Sequence, residues 1–181
     1  MTGMGGQQAN AGHGHTLLEL MVVLAIVGVL ATQVAWGWAA WRDRHRLMDT
    51  ADRYRQHLQL SRQLALAHQL PARLQFARSA HATCYRVVLG PAPACSCADP
   101  GCPANPTAVA LVSLPTNGGL RVEPVGTTAD FLVDPGLGTL QPTVRAAFSL
   151  TSGPALHQIT NLTGRTRACS PDGPWHGFPA C

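Results

Sequence analysis

The chain opens with an apolar stretch unlike anything that follows it. Residues 16–41 read TLLELMVVLAIVGVLATQVAWGWAAW, and the only non-apolar interruptions are Thr16, Glu19, Thr32 and Gln33. A helix needs about 20 apolar residues to span a bilayer, so this stretch is long enough. A secretory signal peptide has a shorter apolar region followed by a small-residue cleavage site, and no such site is clear here. We therefore expect residues 15–41 to form a retained transmembrane helix, with Trp36, Trp38 and Trp41 as an aromatic belt at the membrane surface.

The next segment, residues 42–70, repeats its apolar positions with helical spacing. These positions are Leu47, Ala51, Tyr54, Leu58 and Ala65, which predicts an amphipathic continuation of the same helix with one buried face. Asp49 and Arg53 lie four residues apart and can form an ion pair across one turn. Because proline lacks a backbone N–H, we expect the helix to end before Pro71.

After Pro71 the apolar runs are short and bounded by turns. They are Arg73–Phe76, Tyr85–Leu89, Ala108–Leu114, Leu120–Val125, Phe131–Val133, Val144–Leu150 and Leu156–Thr160. Turn signals such as Asn117-Gly118-Gly119 and Asp134-Pro135-Gly136 separate them. The pattern predicts an antiparallel β domain over residues 71–181 that packs on the helix, so the fold class is α+β.

Charge is unevenly distributed along the chain. The net charge is +4 and all thirteen basic residues are Arg, six of which lie on the helix. Beyond Leu70, seven Arg face five acidic residues. The globular part is therefore only mildly basic, and any nucleic-acid binding would have to come from a local patch.

Six cysteines all follow the apolar segment: Cys84, Cys95, Cys97, Cys102, Cys169 and Cys181. An even number in a part that would face an oxidising compartment favours disulfides, although six cysteines allow fifteen pairings. The first four could instead bind zinc, but C-x-C-x4-C lacks the paired C-x2-C of common zinc modules. Cys169 and Cys181 are close enough in sequence to close an end loop, and the alternative is that one of them pairs with Cys84.

Motifs for catalysis are missing from the sequence. There is no G-x-S-x-G elbow, no P-loop and no H-E-x-x-H. We therefore expect neither an enzyme nor a cofactor, and no metal site. Trp175, His176 and Phe178 near the C-terminus could stack on a ligand, but they are at least as well explained as packing for the end loop.

A local basic motif, Gly164-Arg165-Thr166-Arg167, precedes Cys169. Two Arg at positions i and i+2 of an extended chain point to the same side, so both guanidinium groups could meet phosphates of one DNA strand. The competing interpretation is an ordinary solvated turn.

The residues Gly14-His15-Thr16-Leu17-Leu18-Glu19, followed by the apolar run, resemble the type IV prepilin signature. The resemblance implies that a prepilin peptidase cuts between Gly14 and His15, removing Met1–Gly14 as a leader, and that the new terminus is N-methylated. It also implies that Glu19 pairs with the N-terminal amine of a neighbouring subunit, which would offset the roughly 2.5 kcal/mol or more that a lone carboxylate costs in lipid. The chain departs from the family in having His15 where Phe or Met is usual, and in having no basic residue in the leader.

A prepilin N-terminus combined with a β domain ending in G-R-x-R resembles the GspH/FimT group of minor pilins, and its FimT-like members most closely. In those proteins the motif is associated with DNA binding in natural transformation (competence). By position, Arg165 and Arg167 would be the DNA contacts and Gly164 would allow the turn. The resemblance implies an inner-membrane protein with a periplasmic domain that later joins a pilus at the cell surface. The alternatives are a GspH-like minor pseudopilin of a type II secretion system and a structural minor pilin that primes filament assembly.

Overall fold

The computed structural model describes residues 16–91, 95–99, 101–102 and 108–181, without the side chains of residues 33–36. Over these residues the chain forms one long helix followed by antiparallel strands, an α+β fold consistent with pilin-like architecture. The chain divides into two compact units, one ending at Trp41 and the other running from Arg42 to Cys181. Gly14 and His15, at the expected cleavage junction, lie outside the described residues.

Helix α1 extends over Leu17–His68, so it ends two residues earlier than the sequence predicted. Gln69 adopts a left-handed conformation with φ 54°, and the Leu70 N–H donates to the Ala65 carbonyl at 3.2 Å. This is the Schellman arrangement, in which a bond spanning five residues satisfies a free carbonyl at the helix end. The helix is therefore closed before Pro71 could interrupt it.

Two antiparallel sheets follow the helix. The first has five strands in the order β3-β2-β1-β5-β6, where β1 is Ala72–Arg78, β2 Ala82–Leu89, β3 Ala108–Pro115, β5 Asp130–Val133 and β6 Leu140–Gln141. The second has four strands in the order β4-β7-β8-β9, where β4 is Leu120–Pro124, β7 Val144–Leu150, β8 Ala155–Thr160 and β9 Thr166–Cys169.

Each of the seven apolar runs marked by the sequence overlaps one strand, with small differences at the ends. The sequence missed β6 and β9. Strand β6 has only two residues, too few for alternation to be visible. Strand β9 reads TRAC, and its polar residues gave no apolar signal although four register pairs join it to β8.

The core lies where α1 meets both sheets. The five helix positions predicted to be buried are each no more than 2% exposed. Tyr54 contacts Phe76 of β1 and Tyr85 of β2 at ring-centroid distances of 6.1 and 5.3 Å, and Phe148 of β7 at 5.4 Å. One helical side chain thus packs on both sheets. The predicted ion pair between Asp49 and Arg53 is present at 3.0 Å on the solvent side.

Polar contacts also join α1 to the strands. His57 Nδ1 lies 3.0 Å from the Tyr85 hydroxyl, and Gln158 Nε2 of β8 donates to the Ala51 carbonyl at 3.4 Å. Burial, together with the nearby Arg53, lowers the pKa of His57, and burial raises the pKa of Tyr85. Both groups are therefore held neutral at pH 7.

All six cysteines form disulfides, Cys84–Cys97, Cys95–Cys102 and Cys169–Cys181. The last pair is the one expected from proximity, and Cys84 pairs with Cys97 rather than with either C-terminal cysteine. Arg86 holds the cysteine loop to the sheet, because its guanidinium donates to the Cys95 carbonyl and, at 2.8 Å, to Gln75 Oε1.

Candidate functional site

The apolar segment begins with a capped helix end. The Thr16 side chain accepts a hydrogen bond from the Glu19 backbone N–H at 3.3 Å, which makes Thr16 the N-cap and Glu19 the third helical residue. A carboxylate in the first turn is stabilised by the partial positive charge of the helix N-terminus. The resemblance to prepilins implies that Glu19 pairs with the amine of another subunit. Its place in the first helical turn is a second, local electrostatic reason for an acid at this position.

Every described side chain from Thr16 to Thr32 is exposed. The large apolar side chains from Leu17 to Leu30 are 50% exposed or more. A soluble protein rarely exposes so large an apolar surface, so this surface must be covered by lipid or by other subunits. Near the end of the segment the exposed rings of Trp38 and Trp41 lie 5.2 Å apart.

No single helix in the described parts of the chain is both long and apolar enough to count as a membrane span. The segments Leu17–Thr32 and Gly37–His68 meet that requirement when taken together, by length and composition only.

The G-R-x-R motif lies in the turn that joins β8 to β9. Asn161 organises this turn, since its side-chain Oδ1 accepts from the Arg165 backbone N–H at 2.8 Å and from the Thr163 hydroxyl at 2.9 Å. Its carbonyl accepts from the Gly164 N–H at 2.9 Å. The Asn161-Leu162-Thr163 segment therefore forms the turn, and Asn161 supplies its hydrogen-bond acceptors.

Gly164 meets two separate steric requirements. Its φ is +76°, a left-handed conformation that L side chains rarely adopt, and a Cβ there would lie 2.4 Å from the Arg62 guanidinium carbon. Arg62 of α1 is half-buried and its Nε donates to the Gly138 carbonyl at 2.7 Å. The guanidinium of Arg62 thus packs directly on Gly164, a contact that the sequence gave no signal for.

Both arginines of the motif reach solvent. Arg165 and Arg167 are exposed, whereas Thr166 between them turns inward and bonds to the Thr160 hydroxyl at 2.9 Å. Arg165 lies just before β9 and Arg167 lies within it. Neither Arg165 nor Arg167 forms an ion pair with another described residue.

The end loop beyond β9 is built by packing contacts. The rings of Trp175 and Phe178 stack with centroids 6.3 Å apart, and both side chains pack against the core. Cys181 N donates to the Ser170 carbonyl at 3.0 Å, and His176 Nε2 lies 3.0 Å from the Arg44 guanidinium. The two large rings therefore pack against the core, which was one of the two interpretations of the sequence.

Comparison with known protein families finds a match for the N-terminal region. Residues 10–32 match the prokaryotic N-terminal methylation motif, a range that includes Gly14, His15 and Glu19. With the capped apolar helix and the antiparallel sheets, this motif indicates a type IV pilin-like prepilin with a membrane-anchored N-terminus, a class that assembles with other pilins after prepilin peptidase processing. Comparison with curated proteins and with solved structures finds no match.

Proposed function

We propose that this chain is a FimT-like minor type IV pilin that binds extracellular DNA for uptake in natural transformation. One observation carries the proposal: Arg165 and Arg167 are both exposed on a turn fixed by Asn161, with no acidic partner among the described residues. Two exposed guanidinium groups two residues apart in the chain suit the phosphates of a single strand. Such contacts carry no sequence information, so binding should be indifferent to sequence.

The proposed partners follow from the two ends of the chain. After removal of Met1–Gly14, the apolar helix holds the protein in the inner membrane with the β domain in the periplasm, where disulfides persist. Glu19 then pairs with the amine of a neighbouring subunit as the chain enters a pilus, and the pilus carries the arginine turn to the cell surface.

The decisive experiment is a salt series of DNA binding by the full chain in detergent. With Arg165→Ala and Arg167→Ala together, we expect lower affinity and a log–log salt slope shallower by about two units, since each neutralised phosphate contributes about −0.9 on duplex DNA. Lys at both positions should restore only part of the affinity, because charge is kept while the bidentate fork is lost.

A matched control removes the same charge elsewhere. Arg73→Ala with Arg78→Ala takes two arginines from β1, where each is already paired with an acid, and should leave the salt slope unchanged. If the folded motif variant binds DNA as well as the unmodified chain at every salt concentration, the turn is an ordinary surface feature. A GspH-like pseudopilin or a structural minor pilin would then be the better assignment.

A further inference from the structure

The register of the four-stranded sheet places a third arginine in line with the motif. Arg145 of β7 is paired with Ile159 of β8, and Ile159 is paired with Arg167 of β9. The three residues therefore form one row perpendicular to the strands. Since neighbouring strands lie about 4.8 Å apart, the backbones at Arg145 and Arg167 are separated by roughly 10 Å.

This row lies on the outer face of the sheet. Along β7, Val144, Ala146 and Phe148 are buried while Arg145 between them is exposed. Strand β8 alternates in the same way, with half-buried His157 and Ile159 facing outward. Because side chains alternate strictly between the two faces, Arg145 and Arg167 share the face that α1 does not cover.

The charge on this face is largely uncompensated. Arg145, Arg165 and Arg167 take part in no ion pair within the described regions, whereas Glu123, the outward acid of β4, is paired with Arg78 at 2.8 Å. Asp172 of the end loop is the acid at the margin, close enough to influence His157. Burial and the proximity of Arg145 lower the pKa of His157, so that side chain adds polarity but no charge near pH 7.

We propose that Arg145 is a further phosphate contact and that the sugar–phosphate backbone of DNA crosses the outer face of the four-stranded sheet, from the Gly164–Arg167 turn over β8 to β7. This rests on the proposed function and extends it from a two-residue motif to a surface. With backbones roughly 10 Å apart, the two long side chains can reach two neighbouring phosphates of one DNA strand. Ile159 lies between the two arginines and offers the DNA strand a half-buried apolar surface.

The test uses the full chain in detergent, with single-stranded and duplex oligonucleotides of mixed sequence as probes. Arg145→Ala should lower affinity by up to about fivefold, the scale of one exposed ionic contact. It should also reduce the salt slope on duplex DNA by about 0.9, the contribution of one phosphate. Arg145→Lys should keep the slope and lose part of the affinity. Circular dichroism confirms that each variant is folded.

Arg121→Ala is the matched control, because Arg121 of β4 lies on the same outer face but opposite Ser149, four residues along β7 from Arg145 and off the proposed path. It should bind as the unmodified chain does. Equal losses for Arg121→Ala and Arg145→Ala would mean that only overall charge matters, and would overturn the proposed path. So would unchanged binding in both Arg145 variants.

The two proposals fail in different ways. If the Arg165 and Arg167 double variant loses affinity while Arg145→Ala does not, the motif binds DNA and only the extension over the sheet is wrong. If the double variant binds DNA normally, the proposed function itself fails.

Discussion

At the residue scale, the glycine of the motif is as informative as its arginines. The sequence predicted that Gly164 permits a turn, and its φ of +76° agrees. The sequence did not indicate that Arg62 contacts Gly164, because the two residues are about a hundred positions apart and no spacing rule connects them. The exposure of Arg165 and Arg167 could be inferred from alternation along an extended segment, whereas the contact beneath them depends on tertiary packing.

Replacing Gly164 with Ala should destabilise the domain for two separable reasons. The left-handed backbone costs about 1–2 kcal/mol with a side chain, and the new methyl group displaces Arg62 from the Gly138 carbonyl. In an Arg62→Ala background only the backbone cost remains, so we expect a coupling of about 0.5–1.5 kcal/mol, the net value of one hydrogen bond. Denaturant unfolding of the four chains of this cycle measures it.

Gly118→Ala is the control for that cycle, because a Cβ there meets only Pro115 at 3.4 Å, an ordinary contact distance. Chains beginning at Arg42 suit these measurements, since they retain every buried core residue. An identical cost for Gly164→Ala in both backgrounds would show that Arg62 does not rest on the turn.

At the scale of elements, the sequence predicted the helix face and most strands because apolar periodicity records burial directly. The buried helix positions from Leu47 to Ala65 and the strands from β1 to β8 follow that rule, apart from the two-residue β6. Strand β9 does not, since it is held by its register with β8 and by the disulfide from Cys169 rather than by apolar side chains. The contact between α1 and β2 combines polar and apolar groups, since His57 lies within hydrogen-bond distance of the Tyr85 hydroxyl and Tyr54 packs on the Tyr85 ring.

That helix–strand contact should make stability depend on pH. Burial and Arg53 lower the pKa of His57 in the folded state, so the unfolded chain binds a proton more readily. Stability is therefore fully present above the unfolded pKa of about 6.5 and is lost as pH falls through the lower folded value. We expect the free energy of unfolding to decrease between pH 7.5 and 5.5, and to decrease less in His57→Gln.

His157 has the same sign of shift, so some pH dependence should remain in the His57→Gln chain. His68→Gln, at the exposed end of α1, serves as the control and should follow the unmodified chain. If the free energy of unfolding of His57→Gln depends on pH as it does in the unmodified chain, His57 is not a source of the pH dependence. Urea unfolding at a series of pH values supplies the measurement.

At the scale of the whole molecule, the chain combines an apolar N-terminal segment with a domain that has its own core. The apolar side chains from Leu17 to Leu30 are exposed, while Leu47 and the residues beyond it build a closed interior. The sequence predicted this division because it depends on composition, and the methylation motif independently marks the same N-terminal region. The contacts of the domain with phosphates or other subunits depend on the geometry of its surface. Composition alone does not predict that geometry.

Processing should remove the first fourteen residues, because the Gly14-His15 junction and Glu19 lie within the matched motif. We expect mass measurement of the mature protein to find His15 as the first residue. Glu19→Ala should still be processed and inserted but should enter filaments less efficiently, since its proposed partner is another subunit's amine.

Thr32→Ala is the companion variant, as it removes a polar group that bonds to the Val29 carbonyl of its own helix. Its incorporation into sheared pilus preparations should match the unmodified chain. A mature protein that retains Met1 would contradict the prepilin class, and normal incorporation of Glu19→Ala would contradict the intersubunit pairing.

The contact between Arg62 and Gly164 also has a mechanical meaning. Arg62 belongs to α1, the element that continues toward the apolar segment, and it meets the turn directly before Arg165. On the proposed function, a filament that retracts puts the bound strand under tension at this turn. The Arg62 guanidinium fills the space behind Gly164 and is itself held by the Gly138 carbonyl, so it blocks displacement of the turn toward the helix. Displacement away from the helix is opposed by the hydrogen bonds between β8 and β9.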